Sequence, residues 1–170
     1  MRIFCLTEVV DDILMWSHYA DNHRGALIRF RVVPDPACAF DDAQPISYSA
    51  AVPTIAQTPE EWMDELAGVT VRPYGELFDR LALTKSQHWS YEREWRCLCG
   101  EQSTGKMDGE LVSYYPFGPH EVTGLYFGCR MELHQRAELT DLVRQSLPHV
   151  EVFQAERVTG AFGLAFHPVE

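Results

Sequence analysis

Apolar and polar residues recur along this chain with periods that divide it into short elements. RIFCLT (2–7) predicts a strand. DDILMWSHYADN (11–22) predicts a helix: Asp11 and Asp12 favour its start, apolar positions recur near helical spacing, and Gly25 ends the segment. In ALIRFRVV (26–33), Leu27, Arg29 and Arg31 alternate against Ile28, Phe30 and Val32, which predicts a strand closed by Pro34 and Pro36. Residues 37–58 predict a loop with one short edge strand at Ile-Ser-Tyr-Ser. PEEWMDELAG (59–68) and PYGELFDRLALTKS (73–86) predict two helices, the second turning Leu77, Phe78 and Leu81 inward.

A strand is expected to begin near Tyr91, followed by a polar, glycine-rich hairpin loop at 100–110. Strands are expected at 110–117 and 122–128. MELHQRAELTDLVRQSL (131–147) is the clearest helix, with Leu133, Ala137, Leu142 and Leu147 on its apolar side, and strands at 149–156 and 162–168 finish the chain. Six or seven strands and about four helices that do not alternate regularly imply an α+β fold with a mixed, mostly antiparallel sheet. The 170 residues contain no repeat and no linker, so a single domain over 1–170 is expected.

Charge narrows the partners. A net charge of −11 disfavours general nucleic-acid binding while leaving room for a local basic pocket that holds a small anion. No apolar run approaches bilayer length and the start of the chain lacks a signal-peptide pattern, so no membrane and a cytoplasmic location are expected. Five scattered cysteines suggest reduced thiols. Cys97 and Cys99 share a strand face but have no second pair at finger spacing, so no metal is assigned.

Two dense clusters remain. In LMWSHYADNHRG (14–25), Trp16, His18, Tyr19, Asn22 and His23 combine ring stacking with hydrogen-bonding capacity, as the lining of a site would. In KSQHWSYEREWRCLC (85–99), a strand reading puts Glu92, Glu94 and Arg96 on one face and Tyr91, Arg93, Trp95 and Cys97 on the other. Two carboxylates on one face need cationic partners: Arg96 is one, and Lys85 or an arginine of ALIRFR (26–31) is the other.

These stretches carry a resemblance. Phe4-Cys5-Leu6-Thr7-Glu8, Leu14-Met15-Trp16-Ser17-His18-Tyr19-Ala20 and His23-Arg24-Gly25 resemble the first hallmark of a prokaryotic family catalogued as domain of unknown function 2971. Lys85, Trp89, Tyr91-Glu92 and Glu94-Trp95-Arg96 resemble its second, and Leu125-Tyr126-Phe127-Gly128-Cys129-Arg130 its third. Members usually carry a further N-terminal section before the first of these strands, and this chain starts at that strand. The order of elements is similar to ADP-ribosyltransferase-like domains. That likeness implies NAD as ligand, Glu94 or Glu92 as the working carboxylate, Thr7 at the Ser/Thr position and Trp16 or Tyr19 as the stacking ring. His18, His23 and Arg96 complete the expected binding set, in a bacterial defence or toxin-type setting. Two other readings stand beside it: a non-catalytic protein-interaction module, and a metal-dependent nuclease or phosphodiesterase built on Glu92, Glu94 and Lys85.

Overall fold

In the computed structural model, residues 2–33, 38–54, 56, 58–69, 74–99, 103–107, 110–114 and 116–169 are described. The fold is α+β. The first half contributes β1 (Arg2–Thr7), α1 (Ile13–Tyr19), β2 (Ala26–Phe30), β3 (Gln44–Pro45), β4 (Ser47–Ser49), α2 (Pro59–Leu66), α3 (Tyr74–Ala82) and β5 (Thr84–Ser86). The second contributes β6 (Glu94–Cys99), β7 (Ser103–Met107), β8 (Glu110–Tyr114), β9 (Val122–Phe127), α4 (Leu133–Ser146), β10 (Glu151–Arg157) and β11 (Leu164–Pro168). Short 3₁₀ turns occupy Gln87–Glu92 and Pro119–Glu121.

Two sheets organise these elements. One runs β1-β6-β3 and is antiparallel; the other runs β11-β10-β9-β2, with only β9 and β10 parallel. β9 is the centre of the second sheet and is buried on both faces, so its apolar run does not alternate. Leu125 and Phe127 pack on one side with Val152 and the α4 residues Leu139 and Val143. Tyr126 packs on the other with Trp16, Ala155 and Leu164. A third cluster, Phe40, Cys38 and Cys97, fills the underside of the β1–β6 pair beneath Phe4 and Leu6.

Local chemistry explains the boundaries. Asp12 caps α1 by accepting from the amides of Leu14 at 2.8 Å and Met15 at 3.0 Å. Asp21, Asn22 and His23 then take positive φ values of 45°, 52° and 67°, ending the helix sooner than its sequence pattern implied. The amides of Gly128 and Arg130 donate to the carbonyls of Gly25 and His23, both at 2.9 Å, tying this exit to the end of β9. A side chain at Gly128 would collide with the His23 carbonyl, so only glycine permits the approach. Two of the three sequence hallmarks are thereby joined.

Four expectations are corrected. Residues 103–107 and 110–114 pair as a hairpin, so the glycine-rich stretch is largely strand. The strand near Tyr91 begins only at Glu94, because 87–92 coil into a 3₁₀ turn capped by Ser86 and Arg93 turns left-handed at φ 42°. On α4, Leu133 and Leu142 are exposed and Ala137 faces outward, while Leu139, Val143 and Leu147 pack inward. On α3, Phe78 and Leu81 are exposed rather than inward; the side chain of Leu77 and that of Cys99 lie outside the described set.

Candidate functional site

The first sheet builds one wall of a cavity from cross-strand pairs. In the antiparallel register Cys5 stands opposite Arg96 and Thr7 opposite Glu94, which puts these four on a common face. β4 and β5 run parallel beside them, with Tyr48 in register with Lys85. The Glu94 amide donates to the Tyr48 hydroxyl at 2.8 Å, and the Ile46 amide donates to the Glu94 carbonyl at 2.9 Å. The backbone around Glu94 is therefore fixed on both sides.

Glu92 reaches the same place by a different route. The 3₁₀ turn carries it inward until it is 2% exposed, against 6% for Glu94. The Thr7 hydroxyl donates to the Glu92 carbonyl at 2.5 Å and accepts from the Val9 amide at 3.2 Å, pinning the turn to the end of β1. Lys85 then bridges both carboxylates, bonded to Glu92 Oε2 and to Glu94 Oε2, the latter at 2.8 Å. Arg96 Nε donates to Glu94 Oε1 at 2.6 Å while its Nη1 donates to the Ala82 carbonyl. Tyr19 completes the set by donating to Glu92 Oε1 at 2.8 Å. Two buried anions thus meet two cations, the pairing that burial demands.

The electrostatics follow from this. Burial pushes the Glu94 carboxyl up, but hydrogen bonds from Arg96, Lys85 and the Cys5 thiol outweigh it and hold the group down at about 2. Burial would lower Lys85, yet its bonds to Glu92 and Glu94 raise it above its ordinary range. Tyr19 is 63% exposed, but desolvation of its hydroxyl and the bond to Glu92 push the phenol up to about 12. Burial, with the Glu94 carboxylate beside it, pushes the Cys5 thiol up to about 11, so the sulfur stays protonated and poorly nucleophilic at neutral pH.

These groups border a cavity of about 390 Å³. Its polar end is Thr7, Tyr19, Lys85, Glu92, Glu94 and Arg96; Leu6, Val9, Met15, Trp16 and Leu27 supply the apolar remainder. Trp16 is also a core residue, 2% exposed, with its indole N–H donating to the Val10 carbonyl at 2.6 Å.

Of the residues singled out in the sequence, Thr7, Trp16, Tyr19, Glu92, Glu94 and Arg96 come together at this cavity. His18 and His23 do not line it. His18 is exposed, its ring 6.0 Å from that of Trp89, which in turn lies 6.0 Å from Tyr91 and 5.1 Å from the Lys85 ammonium. His23 sits in the helix exit with its Nδ1 buried and unpartnered, and burial followed by the charge of Arg130 lowers its pKa. Cys5, Lys85 and Tyr48 belong to the wall as well. Lys85 was legible as a partner for the carboxylates, Cys5 only through the period-two pattern of β1, and Tyr48 by no local signal.

Among the described residues no group of three or more His, Cys, Asp or Glu is placed to hold a metal, and no helix is long and apolar enough to cross a membrane. Cys5, Cys38 and Cys129 are free thiols. No curated protein and no solved structure matches the chain. Residues 15–97, which hold most of α1, β2 and most of the carboxylate wall, match the model of the family described as Protein of unknown function (DUF2971).

Proposed function

We propose that the chain is an NAD-binding domain of ADP-ribosyltransferase type, with Glu94 as its working carboxylate. The observation that carries the reading is the Glu94 carboxylate, bonded to Lys85 at 2.8 Å and Arg96 at 2.6 Å, at the wall of a cavity of about 390 Å³, a size suited to a small molecule. In such a reaction the bond between ribose C1′ and the nicotinamide nitrogen breaks. Its electron pair leaves with neutral nicotinamide, and the positive charge left on the ribose is quenched by water or an acceptor nucleophile that gives up a proton. A carboxylate with a pKa of about 2 is already charged at neutral pH and stabilises that cation without a prior proton transfer. Trp16, Met15 and Leu27 offer an apolar surface to a planar base, and Lys85 and Arg96 offer positive charge to a pyrophosphate. An NAD-consuming activity suits a bacterial, cytoplasmic defence or toxin-type system.

One observation favours a second reading, a non-catalytic interaction module. All four carboxylate oxygens of Glu92 and Glu94 already accept a donor from within the chain. A network satisfied in this way can serve as structure alone. The same bonds occupy the oxygens that a Mg²⁺ ion would need, which ranks the metal-dependent nuclease third.

Nicotinamide release from NAD separates these readings. The native chain should release it, and Glu94→Gln should slow release by roughly 100-fold or more. A native chain that neither binds nor cleaves NAD overturns the proposal.

A further inference from the structure

The two sheets end side by side without joining. β1 terminates one and β2 the other, and the two strands do not pair. Between them lies a groove of about 1020 Å³. Residues 5–7 of β1 and all of residues 26–30 of β2 line it. Side chains of a strand alternate between its faces, so successive residues lining one groove mean that the groove meets each strand edge-on. A strand edge is a row of backbone N–H and C=O groups awaiting a partner. Here two such edges border one groove, and Leu6, Leu27, Ile28, Phe30 and Tyr126 give it apolar walls.

We infer that this groove takes an extended segment of a partner polypeptide, inserted as a strand between β1 and β2. Backbone hydrogen bonding on both sides is a chemistry that an extended peptide satisfies and that lipid or nucleic acid does not. A segment of about five residues, roughly 17 Å long, matches β2. Charge selects its flanks. Glu8 and Asp41 border the groove, Glu8 with only an exposed contact to Arg93 at 4.0 Å; Arg29 is already bonded to Glu151 at 2.6 Å, and the chain carries −11 overall, so lysine or arginine belongs at the ends of the segment. The inserted strand unites the two sheets into one. Because residues 5–7, Val9, Ala26 and Leu27 border both the groove and the smaller cavity, it also roofs the cavity beside Glu94. The inference stands whether or not the chain cleaves NAD.

The test is amide hydrogen exchange on the whole chain, with and without a pool of nine-residue peptides that have alternating Val, Ile and Thr cores and lysine ends. Exchange should slow about tenfold in both β1 and β2 at once. The same pool N-methylated at alternate residues should give no protection. Ala26→Trp, which fills the groove from β2, should abolish protection while exchange in β9 and β10 stays native, showing that the variant folds. The inference is overturned by an absence of protection, by protection of one edge alone, or by protection that the N-methylated pool reproduces. Protection that appears without peptide and rises with protein concentration would assign the groove to a second copy of this chain and overturn it equally.

Discussion

Glu121 and the Glu92–Glu94 pair are buried to nearly the same extent, at 3%, 2% and 6% exposure, yet they occupy different kinds of place. Glu121 accepts from the backbone amides of Gly118 and Ala39, the latter at 2.7 Å, and borders neither the cavity nor the groove. The Gly118 amide, outweighing burial, holds its carboxyl below the usual range. Glu92 and Glu94 are satisfied by side chains, Lys85, Arg96 and Tyr19, at the wall of a cavity. Burial therefore does not separate the two places. The donors do: backbone amides cannot leave without unfolding, whereas an ammonium or a phenol can swing away when a ligand arrives.

The sharpest way to break this comparison is to remove Lys85. Lys85→Met leaves two buried anions sharing Arg96 and should cost about 3–5 kcal/mol in urea unfolding. A loss below 1 kcal/mol, on the order of a surface pair, would show that the bridge is not the anchor described. Glu121→Ala leaves two amides without their acceptor and should cost about 1–3 kcal/mol, with NAD binding unchanged. Altered NAD binding in that variant would erase the distinction between the two places. Acid unfolding gives a smaller effect. The folded-state pKa of Glu94 lies below its ordinary 4.5, so its contribution is present above pH 4.5 and is lost as pH falls toward 2. Glu94→Gln should flatten that part of the stability curve, and an unchanged slope would contradict the ionised assignment. Tyr19→Phe should cost only about 1 kcal/mol. It should also remove a loss of stability between pH 10 and about 12, because the raised phenol pKa stabilises the fold below 10 and that contribution fades as pH rises through 12.

Much of this was readable from the sequence, for physical reasons that vary by element. α2 follows from pattern and end signals, with proline at its start and glycine just past its end, while β1, β9 and α4 follow from apolar patterning alone. The pairing of Glu92 with Glu94 was foreseen on a faulty geometry. A period-two reading put both on one strand face, whereas a 3₁₀ turn and a left-handed Arg93 bring Glu92 to Glu94 through Lys85. Ser86 caps that turn locally, but the Thr7 hydroxyl that pins its end to β1 lies 85 residues away in sequence. The packed side of α4 was misread for a related reason. Two leucine stripes compete on that helix, and only the position of the β9 sheet selects Leu139, Val143 and Leu147 over Leu133 and Leu142. The approach of the helix exit to Gly128 was likewise invisible until the chain was folded, although both ends of it lay in quoted motifs.

The most direct test of the central claim is the thermal midpoint of the native chain, Glu94→Gln and Glu121→Gln, each with and without NAD. Saturating NAD should raise the midpoint of the native chain and of Glu121→Gln alike, since a ligand that binds only the folded state stabilises it by mass action. It should raise that of Glu94→Gln by less. Equal shifts in all three, or none in the native chain, would contradict the assignment of the Glu94 wall as the ligand site.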